Sequence, residues 1–352
     1  MPRICGEKSA EKSKFSIERS NAGERVGVME RIMARLTVAK AAQMLLEQDR
    51  IIILCHRYPD GDTVGSAFAL CRALRGLGKK ANVMCGDILP TKFDYIFKDI
   101  EPDKMNERYV VAVDVADPGL LGVLQKDYGA RVDMCIDHHA SNRMYAKDTL
   151  LDDAASATGE IIYELLKPLG AELTQDIALA LYTAISTDTG CFRYSNVTPR
   201  THRITAKLLE TGIDAHEVNR VMFETKSHAR MELEKMLLES LDYRMDGQIV
   251  MMTLTESMID ETGVCEGDID GLSAIPRGIE GVKVGVMLRE VSNGYKISVR
   301  TMRGVNACEI CKRLGGGGHA AAAGCFIKGS IDEAKDKMLE ASVSELEKSR
   351  VK

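Results

Sequence analysis

The sequence lacks the features of a membrane protein, an exported protein or a protein that coats long nucleic acid. No apolar run approaches the ~20 residues of a transmembrane helix, and the start, MPRICGEKSAEKSKFS, has no apolar stretch that could serve as a secretory signal. Basic residues are not in excess, because 47 Lys and Arg stand against 52 Asp and Glu, a net charge of −5. We therefore expect a cytoplasmic protein with no membrane partner. Its acidic balance suits a small anionic substrate only if bound cations supply positive charge.

The cysteines form no recognisable disulfide framework. Ten are scattered through 352 residues, several of them inside apolar runs, which is typical of small buried hydrophobes in a reducing compartment. Cys308 and Cys311 form a C-x-x-C pair, but no second pair is present to complete a zinc site. We expect these two cysteines to pack on one face of a helix.

Apolar runs alternate with helical patterns over the first two thirds of the chain. The runs IIILC, YVVAV and VDMCI are followed directly by His56, Asp114 and Asp137. Continuous apolar runs indicate strands covered on both faces, as in a parallel sheet. Helices are predicted at about 28–47, 63–77, 155–169, 175–186 and 199–211. The sequence thus predicts an α/β fold, and ligands of such sheets bind beyond the carboxyl ends of the strands.

The remainder of the chain has a different texture. Residues 1–30 are rich in charged and small polar residues, so we expect a poorly ordered extension. The charged segment from about Asp214 to Asp242 predicts one long helix that bridges two domains. Beyond it, IVMMTLT, VKVGVML and YKISVRT predict strands, with helices near 306–314 and 331–347. This pattern indicates a second, smaller α+β domain.

Four motifs at the ends of the predicted core elements carry groups that bind metals. Each has an ordinary explanation when taken alone, such as a surface turn or a helix cap. Together they hold five carboxylates and three of the seven histidines, namely His56, Asp60, Asp62, Asp114, Asp137, His138, His139 and Asp188. Imidazole with carboxylate suits Mn²⁺, Fe²⁺ or Co²⁺ better than Mg²⁺ alone. A hydrolase that uses two metal ions needs such a set, with one carboxylate bridging both ions.

A glycine run in the second predicted domain suggests a site for an anion. Gly315, Gly316, Gly317 and Gly318 precede His319, and the lack of side chains lets backbone N–H groups approach a phosphate. His319 would add a donor. Arg300 ends a strand of the same domain, and its guanidinium suits phosphate recognition. The alternatives are a flexible loop for the glycines and a surface ion pair for Arg300.

These motifs, in this order, resemble those of the DHH phosphoesterase family. His56 to Ser66, Asp114, Asp137-His138-His139 and Asp188 match its N-terminal motifs, and SVRT with GGGGHAAAAG resembles the DHHA1 domain. The resemblance implies two Mn²⁺ ions, one on His56, Asp60 and Asp114 and the other on Asp62, Asp114, His138 and Asp188. It implies that His139 contacts the scissile phosphate. Asp137, which precedes the two histidines, is predicted to be the second catalytic residue. It also implies that Arg300, Gly316, Gly317, Gly318 and His319 bind substrate.

The resemblance further implies the domain plan and the activity. Residues 31–212 would form the DHH catalytic domain, 213–240 a helical linker and 241–347 the DHHA1 substrate-binding domain. The expected reaction is hydrolysis of short oligoribonucleotides to mononucleotides, from either end, or of adenosine 3′,5′-bisphosphate (pAp) to AMP. A cyclic dinucleotide phosphodiesterase acting on c-di-AMP or pApA is the alternative. The expected partners are short RNAs or small nucleotides and, for assembly as a homodimer, a second copy of the chain.

Two interpretations from other classes remain. A catalytically silent nucleotide-binding regulator would be marked by a lost metal ligand, and no ligand position looks substituted here. An alanyl-tRNA editing module would explain the GGGGH segment and leave the first domain unexplained.

Overall fold

The computed structural model describes residues 35–269 and 271–350. The chain divides into two compact units, Met1–Thr225 and Lys226–Lys352. The extension expected over residues 1–30 lies outside the described residues, as does the start of the helix expected from residue 28. None of the helices in the described ranges is both long and apolar enough to cross a lipid bilayer.

A parallel sheet forms the centre of the N-terminal unit, which confirms the predicted fold class. Its described strands are hydrogen-bonded in the order β2-β1-β3-β4-β5, all parallel. Their bounds are Ile51–Leu54 (β1), Ala81–Met84 (β2), Tyr109–Val113 (β3), Met134–Asp137 (β4) and Asp148–Leu151 (β5). The alternation of apolar runs and helical patterns in the sequence did not predict the edge strand β5, because DTLL is short and carries only two large apolar residues.

Helices surround this sheet. Their bounds are Val38–Leu46 (α1), Gly61–Gly76 (α2), Asp94–Phe97 (α3), Gln125–Tyr128 (α4), Thr158–Leu169 (α5), Gln175–Asp188 (α6), Pro199–Leu209 (α7) and Ala215–Asn219 (α8). Alternate residues of β1 pack on opposite faces of the sheet. Ile51 and Ile53 belong to the large core formed with α1, α2, α5 and α6, whereas Ile52 and Leu54 pack with Leu121. Burial of both faces explains the continuous apolar runs.

Helices α2 and α6 pack closely because small residues line their contact. A Cβ atom at Gly65 would lie 2.3 Å from the carbonyl oxygen of Ala180. A Cβ atom at Gly61 would lie equally close to the side chain of Thr187, 2.3 Å from its Oγ1. Since α2 begins beside Asp60 and α6 ends at Asp188, this contact fixes the distance between two of the predicted metal-binding motifs.

The close packing predicts a cost for any side chain at Gly65. Gly65→Ala is expected to lower the free energy of unfolding by about 1–3 kcal/mol, because the new methyl group meets backbone that cannot move away cheaply. Gly76→Ala is the matched control, since Gly76 ends the same helix and a Cβ atom added there would have nothing within 4 Å. The control should be neutral or stabilising by up to about 1 kcal/mol. Urea denaturation measures both, and equal stabilities would contradict the assigned packing.

The C-terminal unit contains a mixed sheet with helices, in agreement with the predicted α+β domain. Its described strands run in the order β10-β11-β9-β8-β7-β6, and only the β7–β8 pair is parallel. The strands are Asp242–Arg244 (β6), Ile249–Leu254 (β7), Val284–Val291 (β8), Gly294–Thr301 (β9), Gly317–Gly318 (β10) and Ala322–Lys328 (β11). The helices are His228–Glu239 (α9), Glu256–Thr262 (α10), Glu266–Ile269 (α11), Ala307–Lys312 (α12) and Ile331–Arg350 (α13). Cys308 and Cys311 lie on α12 and pack toward the core, as predicted.

The prediction of one long helix over residues 214–242 is wrong. Helix α8 continues into a π-helical turn, Arg220–Glu224, and the chain then becomes extended at Thr225. Ser227 starts a new helix by accepting a hydrogen bond from the backbone N–H of Arg230. Leu233 and Leu237 of that helix are buried in the core of the C-terminal unit. The charged pattern looks continuous in the sequence because a serine N-cap is inconspicuous among polar residues.

Candidate metal centre

The four predicted motifs meet at the carboxyl edge of the parallel sheet. Strands β1, β3 and β4 are neighbours, so the residues that follow them are brought side by side. His56 follows β1, Asp114 follows β3 and His138 follows β4, while Asp188 arrives as the last residue of α6. Three of the predicted residues therefore reach the cluster from strand ends, as expected for a parallel sheet, and Asp188 reaches it from a helix end.

Asp114 lies at the centre of the cluster, with one histidine on each side. Its Oδ2 is 3.5 Å from Nε2 of His56, and its Oδ1 is 3.7 Å from Nε2 of His138. Nε2 of His56 is also 3.4 Å from Oδ1 of Asp60. Nε2 of His138 is 3.8 Å from Oδ2 of Asp62 and 3.7 Å from Oδ2 of Asp188.

These contacts define overlapping groups of potential metal ligands. Within the described residues, three groups have ligand atoms within 4.8 Å of one another, namely His56 with Asp60 and Asp114, Asp62 with His138 and Asp188, and Asp114 with His138 and His139. All six residues predicted as metal ligands are members. His139, which was predicted to contact substrate, is also close enough to Asp114 to join a group.

The backbone directs the central carboxylate into the site. Asp114 has a φ of 63°, in the left-handed region that non-glycine residues seldom adopt. Its backbone N–H donates to the carbonyl oxygen of Ile136 at 2.9 Å, so the turn away from the strand begins only after the last sheet hydrogen bond. Strain of this kind concentrates at functional sites. Aspartate is one of the few side chains that tolerates it.

Helix ends and backbone carbonyls orient the other groups. Asp60 is the N-cap of α2, and its carboxylate accepts hydrogen bonds from the N–H groups of Asp62 and Thr63, both at 3.1 Å. Nδ1 of His56 lies 2.7 Å from the carbonyl oxygen of Arg57. A proton on this Nδ1 leaves Nε2 free, pointing toward the carboxylates.

The electrostatics of the cluster favour bound cations. Burial and the neighbouring carboxylates of Asp114 and Asp188 raise the pKa of Asp62 well above its ordinary value. Burial, with repulsion from Asp114 and Asp60, raises the pKa of Asp188 to about 6. Burial lowers the pKa of His56, but hydrogen bonds to Asp114 and Asp60 outweigh that effect and raise it to about 11. Buried carboxylates that repel one another, with imidazole nitrogens between them, form a donor set suited to divalent transition metals.

Asp137 holds His139 rather than contacting the other carboxylates. Its buried carboxylate accepts from both histidine N–H groups, from Nδ1 of His139 at 2.8 Å and from the amide of Asn142 at 2.6 Å. The hydrogen bond to Asp137 outweighs burial and raises the pKa of His139 to about 9. The side chain of His139 is 44% exposed. This histidine is therefore both anchored and accessible.

The glycine run of the C-terminal unit forms one side of a tight hairpin. Gly317 and Gly318 pair with Gly324 and Ala323, and the N–H of His319 donates to the carbonyl oxygen of Ala322 at 2.8 Å. A Cβ atom at Gly316 would lie 2.2 Å from the carbonyl oxygen of Gly324, so this glycine is required by the hairpin itself. Gly317, in contrast, has nothing within 4 Å of its Cβ position.

Arg300 and His319 belong to the same part of this unit. Arg300 lies in β9 opposite Ala322 of β11, the residue whose carbonyl oxygen holds His319. His319 is exposed. The structure therefore groups Arg300, Gly317 and His319 at one end of the sheet of the C-terminal unit.

Sequence reasoning missed the polar residues that hold the ligands. Thr158 and Gly159 contact the aspartates through backbone and side-chain donors, Ser66 donates to Asp62 and Asn142 donates to Asp137. Ser66 alone had a signal, since it lies one helical turn after Asp62. Asn142 lies five residues after Asp137, but no helical or strand period pairs the two. Thr158 and Gly159 are far from their partners in sequence.

Comparison with known proteins identifies the class. The model of the DHH family, N-terminal domain, matches residues 50–185, and that of the DHHA1 domain matches residues 246–348. Together with the relative described next, these matches show that the chain belongs to the DHH family of metal-dependent phosphoesterases, with a DHHA1 domain.

Within that class, the chain is similar to several named proteins. It is 35% identical over 304 residues to the bifunctional oligoribonuclease and PAP phosphatase NrnA of Thermus thermophilus, covering 84% of this chain and 90% of that protein. It is 24% identical to the cyclic-di-AMP phosphodiesterase GdpP of Geobacillus thermodenitrificans over 88% of this chain and 50% of that protein. An exopolyphosphatase-related protein from Bacteroides fragilis has the same fold, with a TM-score of 0.80, 24% identity and coverage of 89% of this chain and 97% of that chain.

Loss of the central carboxylate should abolish metal-dependent hydrolysis. Asp114→Asn keeps the shape and the tolerance for a positive φ but removes the charge shared by both histidines, so we expect turnover to fall by several orders of magnitude. The measurement is release of p-nitrophenol from bis-p-nitrophenyl phosphate after chelation and metal refilling. Asp127→Asn, an exposed aspartate outside the cluster, is the control. Near-normal turnover of Asp114→Asn in a folded protein would rule out the central role.

Proposed function

We propose that this protein hydrolyses short oligoribonucleotides to mononucleotides and converts pAp to AMP. The observation that carries the proposal is the assembled cluster of six histidine and aspartate ligands in a chain whose relative is a bifunctional oligoribonuclease and PAP phosphatase. Coverage of 90% of that relative supports the transfer of its activity. Both reactions break a phosphoester bond of a small nucleotide, so a single site serves them.

We assign two divalent ions to the cluster. His56, Asp60 and Asp114 would hold one, whereas Asp62, Asp114, His138 and Asp188 would hold the other. The support is the orientation of Asp114, whose two oxygens face different histidines at 3.5 and 3.7 Å, as a bridging carboxylate requires. The mixture of imidazole and carboxylate donors favours Mn²⁺. Titration calorimetry is expected to give two Mn²⁺ per chain.

The protein's own groups orient the phosphate. When bound, the cations supply Lewis acidity that lowers the pKa of the attacking water and balances the charge that develops on the phosphate. His139 donates a hydrogen bond from Nε2 to the scissile phosphate. Asp137 fixes this ring through the 2.8 Å contact to Nδ1 and stabilises its protonated form. Asn142 in turn keeps Asp137 in place.

The C-terminal domain would bind the part of the substrate that does not react. Arg300 and His319 carry donors suited to a phosphate or a base edge. Gly317 is exposed and has open space at its Cβ position. Gly316 and Gly318 shape the hairpin that presents these groups. This division assigns chemistry to residues 31–212 and recognition to residues 241–347.

The charge balance supports short substrates over long ones. Binding of long strands depends on many phosphate contacts by basic residues, and this chain carries 52 acidic residues against 47 basic residues. A second candidate is hydrolysis of cyclic dinucleotides, favoured by the similarity to GdpP. The chain spans half of that relative, so the comparison supports a shared site rather than a shared biological role.

A panel of substrates tests the function. We expect kcat/KM with Mn²⁺ at fixed salt to be high for RNAs of two to five nucleotides and for pAp. It should be low for a twenty-nucleotide RNA, because binding of a long strand needs phosphate contacts from more basic residues than this chain offers in excess. Cyclic di-AMP and pApA form the arm for the alternative. Equal efficiency on the long strand would contradict the length preference. Absence of turnover on every substrate, including the small activated ester, would favour a silent nucleotide-binding regulator.

Changes in the hairpin should separate recognition from chemistry. His319→Ala and Arg300→Ala are expected to raise KM strongly on a dinucleotide, and kcat can fall too because remote contacts orient the reacting phosphate. On bis-p-nitrophenyl phosphate, which lacks the distal groups, both variants should match the parent. Lys296→Ala is the matched control. Lys296 lies on the same strand as Arg300 but pairs with Phe326, away from the turn that contains His319. If His319→Ala lost activity equally on the small ester, His319 would belong to the chemical site.

A further inference from the structure

We infer that residues 155–159, together with Asn196, form a positioning element for one of the two cation sites. None of these residues is a metal ligand in the assignment above. They nevertheless form a hydrogen bond with the side chain or backbone of every residue assigned to the second ion. The inference rests on the two-ion assignment of the proposed function.

The N-terminus of α5 holds Asp62. The backbone N–H of Thr158 donates to Oδ2 at 2.7 Å, and that of Gly159 donates to Oδ1 at 3.0 Å. Ala157, at the N-cap position, has no side-chain acceptor to satisfy these groups. The first N–H groups of a helix need an acceptor. Here a carboxylate from a different helix, buried with 1% exposure, provides it.

The side chain of Thr158 holds Asp114. Its hydroxyl donates to Oδ1 at 2.9 Å, and both residues are buried. This is the oxygen that faces His138. The hydroxyl therefore fixes the rotation of the carboxylate on the side of the second ion and leaves Oδ2 directed at His56.

Backbone carbonyls of the same segment reach the other two ligands. Nδ1 of His138 lies 3.2 Å from the carbonyl oxygen of Ala155, and a proton donated there leaves Nε2 as the free nitrogen. The amide of Asn196 donates to the carbonyl oxygens of Ser156 at 3.0 Å and Asp188 at 3.1 Å. Asn196 thus ties the end of α6 to the segment.

The segment is itself anchored from behind. The hydroxyl of Ser156 donates to Oε1 of the fully buried Glu160 at 2.6 Å and accepts a hydrogen bond from Thr201 at 3.2 Å. Oε2 of Glu160 lies 3.3 Å from Nε of Arg200. Buried polar groups connected in this way have few alternative positions, which suits a rigid support.

Two of the three ligands assigned to the first ion have a separate support. His56 is oriented by the carbonyl oxygen of Arg57, and Asp60 is held by the first turn of α2. Neither contact involves residues 155–159. The shared ligand Asp114 faces His56 through Oδ2, whereas the hydroxyl of Thr158 contacts Oδ1. A change in the segment should therefore weaken one cation site far more than the other, which a general loss of stability would not do.

The test is a calorimetric titration of the full chain with Mn²⁺. Thr158→Val removes the hydroxyl, and we expect one of two binding phases to weaken by about 10–100-fold, the usual effect of losing a group that orients a metal ligand. The other phase should change by less than about 3-fold, within the usual context dependence of such effects. Thr158→Ser restores the hydroxyl and should bind like the parent. Turnover of the small ester by Thr158→Val should recover as Mn²⁺ is raised.

Controls separate positioning from folding. Thr205→Val makes the same change at a buried threonine whose hydroxyl donates to the backbone carbonyl of Thr201, and it should leave both phases unchanged. Thermal unfolding monitors stability. If Thr158→Val does not fold, Asn196→Ala tests the same element, because it releases Ser156 and Asp188 and should weaken the same phase.

Four results would overturn the inference. Equal weakening of both phases, or no weakening in Thr158→Val, would exclude selective positioning. Failure of Thr158→Ser to restore binding would show that the hydroxyl is not the active feature. A parent protein that binds a single Mn²⁺ would instead refute the two-ion assignment, and the inference with it.

Discussion

The need to keep several carboxylates close together inside a folded domain dominates the N-terminal unit. Asp62, Asp114 and Asp137 are almost fully buried, and Asp188 lies beside them. Unpaired buried charges are costly, and like charges raise one another's pKa. The fold offsets this with N–H donors, hydroxyl groups and imidazole rings. A phosphoester substrate carries the same sign of charge as these aspartates, so cations must stand between protein and substrate.

The packing of helices and strands serves the geometry of this cluster. Parallel strands place His56, Asp114 and His138 side by side, and the glycine contact between α2 and α6 brings in Asp60, Asp62 and Asp188. The short distances depend on tight backbone approach rather than on long side chains. Aspartate has few rotatable bonds, so its position follows the backbone closely. The distances between the ligands of the site are therefore set by the packing of the core.

The sequence pointed to residues that the structure brings together, but not to the groups that hold them in place. Apolar runs that end in His or Asp located the strand ends, and the parallel sheet then implied a common edge. The supporting residues at the start of α5 were beyond reach, because Thr158 meets Asp114 across 44 residues and Gly159 meets Asp62 across 97. Such pairs follow from tertiary packing alone. The edge strand β5 and the break before Ser227 were missed for the opposite reason, since their signals are local but weak.

The capping of α5 by Asp62 ties the choice of ligand to folding. A histidine or cysteine at position 62 would retain metal affinity in principle, but a carboxylate alone offers two oxygens, one for each N–H at 2.7 and 3.0 Å. Replacing it would leave the first turn of the helix without acceptors in a buried place. The stability of the domain therefore depends on a carboxylate at this position, independently of catalysis. The metal preference of the site is constrained in part by how one helix begins.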